Sequence, residues 1–158
     1  MLHDSRYARK PPPAASREAV REALAEVRAV YAELDRRPVE RQCTRLTECC
    51  QFKRTGLVPS MTHGEALLAA QALRATGRKQ LPETTGGACP MLDARTGRCL
   101  IYADRPFGCR THFCQAAGGP YARRDVLDLI RRLEAIDESL GRRDGPKGLP
   151  AALEAAGV

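Results

Sequence analysis

The residues of this chain best equipped for chemistry are its seven cysteines, which fall in two blocks. The first is C-x5-C-C at Cys43, Cys49 and Cys50, and the second is C-x9-C-x9-C-x4-C at Cys89, Cys99, Cys109 and Cys114. Thiolates are soft, anionic ligands, and zinc ions and iron–sulfur clusters take about four of them per ion or per cluster. Seven exceed one such set. With His112 counted, the donors suffice for one site of four thiolates and one of three thiolates and an imidazole. An odd number argues against complete disulfide pairing, and the chain has no CxxC, which excludes the zinc-ribbon knuckle and the thioredoxin-type dithiol. The three-cysteine signature of radical enzymes and the ferredoxin run are absent too. Any single cysteine could be a small buried apolar residue, but that reading does not suit all seven.

Adjacent cysteines raise a separate question. In extended chain successive side chains point to opposite faces, so Cys49 and Cys50 are not expected to ligate one ion in the same way. One binds metal while the other is buried, bridges two metals or stays a reactive thiol. Around the downstream block, Arg105 and Arg110 flank Cys109 and could donate to sulfurs or neutralise a thiolate-rich centre, with Tyr102 and Thr111 as further donors. For Arg105 the competing reading is an ion pair with Asp104 or Asp93 that only folds the loop. His63 is better explained as part of a helix cap, and His3 as a chain-end residue.

These side chains need elements to hold them. Ser16 can cap a helix running to about Arg37, because Val20, Leu24, Val27, Tyr31 and Leu34 recur at spacings of three and four and Pro38 follows. Thr62-His63-Gly64-Glu65 has the form of a capping box opening a helix to about Thr76, closed by Gly77. Between them Phe52, Leu57, Val58 and Met61 could cover the site from solvent. Pro90, Gly97, Pro106 and Gly108 exclude a long helix in the downstream block, which leaves room for a short strand over Arg98 to Tyr102. From Tyr121 to about Leu140, Val126, Leu129, Ile130, Leu133, Ile136 and Leu140 predict the strongest helix. The expected architecture is mainly α: a small single domain of three to four helices around a loop-rich cysteine core, with at most a short β-hairpin. Residues 1–15 read as a flexible lead-in, 16–140 as the helical domain and 141–158 as a C-terminal tail.

Composition narrows the class. The chain has 158 residues, 43% hydrophobic and 28% charged, the balance of one globular domain, and with 4% aromatics and no Trp its core must be mainly aliphatic. A metal centre can reinforce so thin an interior. The net charge of +7 permits an anionic partner such as nucleic acid, but the 26 basic residues are scattered in singles and pairs, as on solvated helix faces. No apolar run is long enough to span a bilayer, so a cytosolic protein with reduced thiols and no membrane partner is expected.

The two blocks together, CxxLxxCC upstream and CPMLD…GRCLIYADRPFGCR downstream, resemble the YkgJ-type cysteine-cluster family, the CxxCxxCC zinc- or iron-chelating domain. Cys89-Pro90, Cys99-Leu100-Ile101-Tyr102, Arg105-Pro106 and Cys109-Arg110 carry the resemblance. It implies metal chelation by Cys43, Cys49, Cys50, Cys89, Cys99 and Cys109. Leu46 stands where the family's second upstream cysteine falls, and Cys114 is a candidate replacement. A related cluster occurs in flagellin lysine methylases, yet no Gly-rich strand–turn–helix for a methyl donor is present here. The expectation is a metal-binding protein with an iron–sulfur cluster or iron, or alternatively zinc, held by both blocks, working with an unidentified protein or redox partner. The alternative is a structural-zinc module that contacts nucleic acid or a protein.

Overall fold

The computed structural model describes residues 13–37, 47–84, 86–114 and 117–158. Cys43, Leu46, Pro38 and most of the lead-in lie outside the described residues.

Three helices carry the framework: α1 (Arg17–Arg36), α3 (His63–Ala75) and α5 (Leu127–Ser139), with the short helices α2 (Phe52–Thr55), α4 (Phe107–Thr111) and α6 (Leu149–Ala155) between and after them. Four two-residue strands form two antiparallel pairs. β1 (Ser60–Met61) joins β4 (Lys147–Gly148), and β2 (Leu92–Asp93) joins β3 (Arg98–Cys99). The architecture is mainly α, as expected.

α1 begins where its cap predicts, with Ser16 Oγ accepting from Ala19 N at 3.1 Å. Its stripe of Leu24, Val27, Val30, Tyr31 and Leu34 meets Leu68 of α3 and Leu129, Leu133 and Ile136 of α5 in one core. The other face of α3, through Ala66, Ala69 and Leu73, meets Met61, Met91, Ile101, Leu149 and Leu153 in a second core that includes Cys89. α3 is thus buried on both faces, which its small residues allow by letting neighbours approach. Gly64 marks the tightest approach, for a Cβ there would stand 3.1 Å from Ile136 Cγ2 and 3.3 Å from Val27 Cγ2.

The start of α3 is held more firmly than a capping box alone requires. The box is complete: Glu65 N donates to Thr62 Oγ1 at 3.4 Å while Thr62 N donates to Glu65 Oε2 at 2.9 Å. Asp137, reaching in from α5, accepts His63 N and Gly64 N at 2.8 Å each. Two carboxylates therefore satisfy the free amides at the positive end of the helix. Glu65 does more. Its Oε1 also accepts Tyr31 Oη from α1 at 2.9 Å and Phe107 N from α4 at 2.7 Å, in a position only 2% exposed.

Several elements differ from the sequence expectation. The helix expected from Tyr121 to Leu140 starts only at Leu127, because Arg123–Asp125 form a 3-10 turn and Val126 adopts φ −129°. The strand expected over Arg98–Tyr102 is confined to Arg98–Cys99, and Tyr102–Asp104 turn instead as a 3-10 segment. Residues 141–158 are packed chain: β4 pairs with β1, and Leu149, Ala152 and Leu153 of α6 are buried against α3. Phe52 and Met61 are buried as a cover would be, whereas Leu57 and Val58 are 57% and 48% exposed.

Two stability outcomes follow from this packing. Replacing Glu65 with Gln puts an amide donor among four groups that donate to the carboxylate, so thermal denaturation should show a loss of about 1–3 kcal/mol. Stability equal to the parent would remove Glu65 from its role. Leu153→Ala empties a fully buried position in α6 and should cost about 2–5 kcal/mol, whereas a dispensable tail would show no change in denaturant midpoint.

Candidate metal centre

The upstream block reaches the site as the end of a 3-10 turn, Thr47–Cys50, just before α2. The downstream block arrives through the β2–β3 hairpin, the 3-10 turn after it and α4. One backbone hydrogen bond joins them: Cys89 N donates to Cys50 O at 2.6 Å. Leu92 N then donates to Cys89 O at 3.0 Å, and Leu100 N to Met91 O at 2.8 Å, so Cys89 and Cys99 are set by a closed hairpin. Cys109 lies one turn into α4, whose first amide is the one held by Glu65. Gly108 lets this helix pass close to β1, where a Cβ would stand 3.0 Å from Ser60 O.

Cys49, Cys50, Cys89, Cys99, Cys109 and Cys114 all line one cavity of about 300 Å³. All six are free thiols. Two blocks separated by α2, α3 and a loop have become two walls of one space. His112, Tyr102 and Arg105 line it as well, together with Arg98, Phe113 and Leu149. Among the described residues no three His, Cys, Asp or Glu side chains are gathered closely enough to hold a metal ion as they stand. The donor chemistry nevertheless fits a thiophilic centre, since the described residues of the cavity's wall are rich in sulfur and include no carboxylate.

Electrostatics separate the thiols. The Cys49 and Cys50 sulfurs are 4.0 Å apart. With Cys50 as donor, this bond favours the thiolate at Cys49, whose pKa falls to about 6 with help from Arg105, and holds the proton on Cys50. Burial pushes Cys89 up to about 11 and raises Cys99 and Cys109 as well, and the neighbouring sulfurs add repulsion. Without a cation these thiols resist ionising together. A metal ion reverses that balance.

The supporting residues divide. Arg105 lies over the Tyr102 ring, with its guanidinium carbon 4.1 Å from the centroid, and donates to Tyr102 O at 3.5 Å. Neither Asp104 nor Asp93 takes it: Asp104 pairs with Arg28 at 3.6 Å, and Asp93 accepts Arg95 N and Thr96 Oγ1 at 2.9 Å each. Arg110 is turned away from the cavity. Its guanidinium donates to the carbonyls of Ala103 and Arg105, faces Asp35 of α1 at 3.4 Å and lies over the Tyr31 ring at 4.2 Å. It staples the loop to α1. Thr111 Oγ1 donates to Phe107 O at 3.0 Å inside its own helix.

Adjacent cysteines share a wall here because the chain at Cys49–Cys50 is not extended. A 3-10 turn separates neighbours by about 120° rather than 180°, so both sulfurs can face one space. The capping-box pattern marks Glu65 as a cap alone. Its bonds to α1 and α4 leave no signal in the sequence, since they depend on tertiary contact. Arg98 and Leu149 carry no such signal either, although Arg98 stands beside Cys99.

No curated protein and no solved structure matches the chain. A family model does, over residues 42–129, more than half of the sequence; its description is "CxxCxxCC: Putative zinc- or iron-chelating domain". The match spans both cysteine blocks, the residues that line the cavity apart from Leu149, and the start of α5. The thiol-lined cavity and this match agree, and the chain belongs to the CxxCxxCC family of zinc- or iron-chelating domains.

Proposed function

We propose that this protein holds an iron or iron–sulfur centre through thiolates of both cysteine blocks and serves a redox role with a protein partner. The observation that carries the reading is the convergence of six thiols from both blocks on one cavity. The number of thiols favours a centre of several atoms over a single zinc ion, because six sulfurs line the cavity and a lone tetrahedral ion takes only about four donors. When bound, an iron–sulfur centre supplies one-electron chemistry.

The chain's own residues have definite parts in this scheme. Cys49 enters the site as a ready thiolate, and Cys50, Cys89, Cys99 and Cys109 give up their protons on binding. Arg105 offsets the resulting negative charge from its seat on Tyr102. His112 and Cys114, on the chain leaving α4, are the remaining donors of the cavity wall among the described residues, and Cys43 lies outside them. Phe52, Ile101 and Leu149 are buried apolar residues of the same wall, and an apolar surround favours metal–sulfur bonding.

Anaerobic purification should yield brown protein containing iron and acid-labile sulfide; colourless protein with stoichiometric zinc would overturn the iron preference. The double variant Cys49→Ser/Cys50→Ser should lose most of the metal, and retention of metal and fold would remove the upstream block from the ligand set. Affinity should also depend on pH with a fixed sign. Thiols with raised pKa keep their protons at neutral pH, so metal must displace them, and competition against a chelator should show tighter binding as pH rises, about tenfold per unit for each proton released. Affinity unchanged between pH 6.5 and 8 would contradict thiolate ligation.

A further inference from the structure

The cavity offers cations as well as thiols. Among the described residues its wall includes Arg98, Arg105 and His112 and no Asp or Glu. Elsewhere arginines near the core meet carboxylates: Arg28 meets Asp104, Arg37 meets Asp128 and Arg110 meets Asp35. Among the described residues, Arg98 and Arg105 have no carboxylate partner, and neither donates a hydrogen bond to a sulfur, although Arg105 lies close enough to favour the Cys49 thiolate. Arg105 is nonetheless fixed in place by the Tyr102 ring and carbonyl, so little side-chain freedom is lost when it binds something. Beside these cations stand Ile101, Phe113 and Leu149, an apolar surface. A volume of about 300 Å³ is at the lower end of small-molecule sites.

From this arrangement we propose that the cavity binds a small organic anion, a carboxylate on an apolar body, with Arg105 and Arg98 meeting the carboxylate and the apolar wall taking the body. Planar guanidinium donors suit a carboxylate's two oxygens. Such a ligand would be the substrate or effector of the centre proposed above, and to that extent the inference rests on that reading. An alternative role for the arginines, neutralising thiolates alone, gives no preference between an acid and its neutral amide.

The test titrates 3-phenylpropionate and the neutral 3-phenylpropanamide into the full-length reduced protein, zinc-loaded and metal-free, by calorimetry. Saturable binding of the acid is expected, with the amide about tenfold weaker or more and Arg105→Gln weakening the acid to a similar degree. Arg98→Gln, at an exposed position, gives the same readout if Arg105→Gln does not fold. No saturable binding in either metal state, or equal affinity for acid and amide, would overturn the proposal. Acid-selective binding by a protein that takes up no metal would support it while removing the metal reading; metal uptake without acid binding would do the reverse.

Discussion

One buried carboxylate holds the scaffold of the site together. Glu65 is out of contact with water and accepts four hydrogen bonds, from Thr62 N and Oγ1, Tyr31 Oη and Phe107 N. Burial pushes its carboxyl up, and the four donors work against that shift by favouring the charged form. Unpaired, such a group would be strongly destabilising; fully bonded, it fixes three elements in one geometry. Through it the start of α3 fixes α1, and through Phe107 it fixes the helix that carries Cys109. Arg110 completes the arrangement from the other side, binding the 103–105 carbonyls and lying over the same Tyr31 that bonds Glu65. The cysteine loop is thereby clamped to a rigid helix pair although it has little regular structure of its own.

The thiols present the opposite situation. Burial is the main reason their pKa values rise, and the charge of neighbouring sulfurs adds to it. Among the described residues, Cys49 is the thiol tuned downward, by the Cys50 hydrogen bond and by Arg105. Ionising these thiols together needs more positive charge than the arginines of the wall supply, and a metal ion provides it. The rigid clamp and the crowded wall are complementary, because repelling ligands need a frame that does not yield.

Much of this was readable from residue types. The ends of α1 and α3 follow from Ser16, from the Thr62–Glu65 box and from Gly77, all local signals that act within a few residues. The cysteine spacing and its family resemblance pointed to a split site, and the fold does join the blocks at the Cys50–Cys89 hydrogen bond. The rest depended on contacts that no local pattern encodes. The β1–β4 pair is two residues long, too short for an alternating pattern, and with it the place of α6 was hidden. Arg110 looked like a partner for sulfur because it follows Cys109. On a helix of 3.6 residues per turn, however, neighbours diverge by about 100°, and Arg110 faces α1 instead. Cys49 and Cys50 misled in the converse way, since an extended chain would have parted them and the 3-10 turn does not.

If both blocks hold one centre, their thiols must respond to metal as a set. Differential alkylation read by mass spectrometry, on metal-loaded and metal-stripped protein under reducing conditions, measures this cysteine by cysteine. Cys49, Cys50, Cys89, Cys99 and Cys109 should become protected together as metal is added, in proportion to occupancy. Protection confined to one block, with the other reacting at the same rate loaded and stripped, would contradict it.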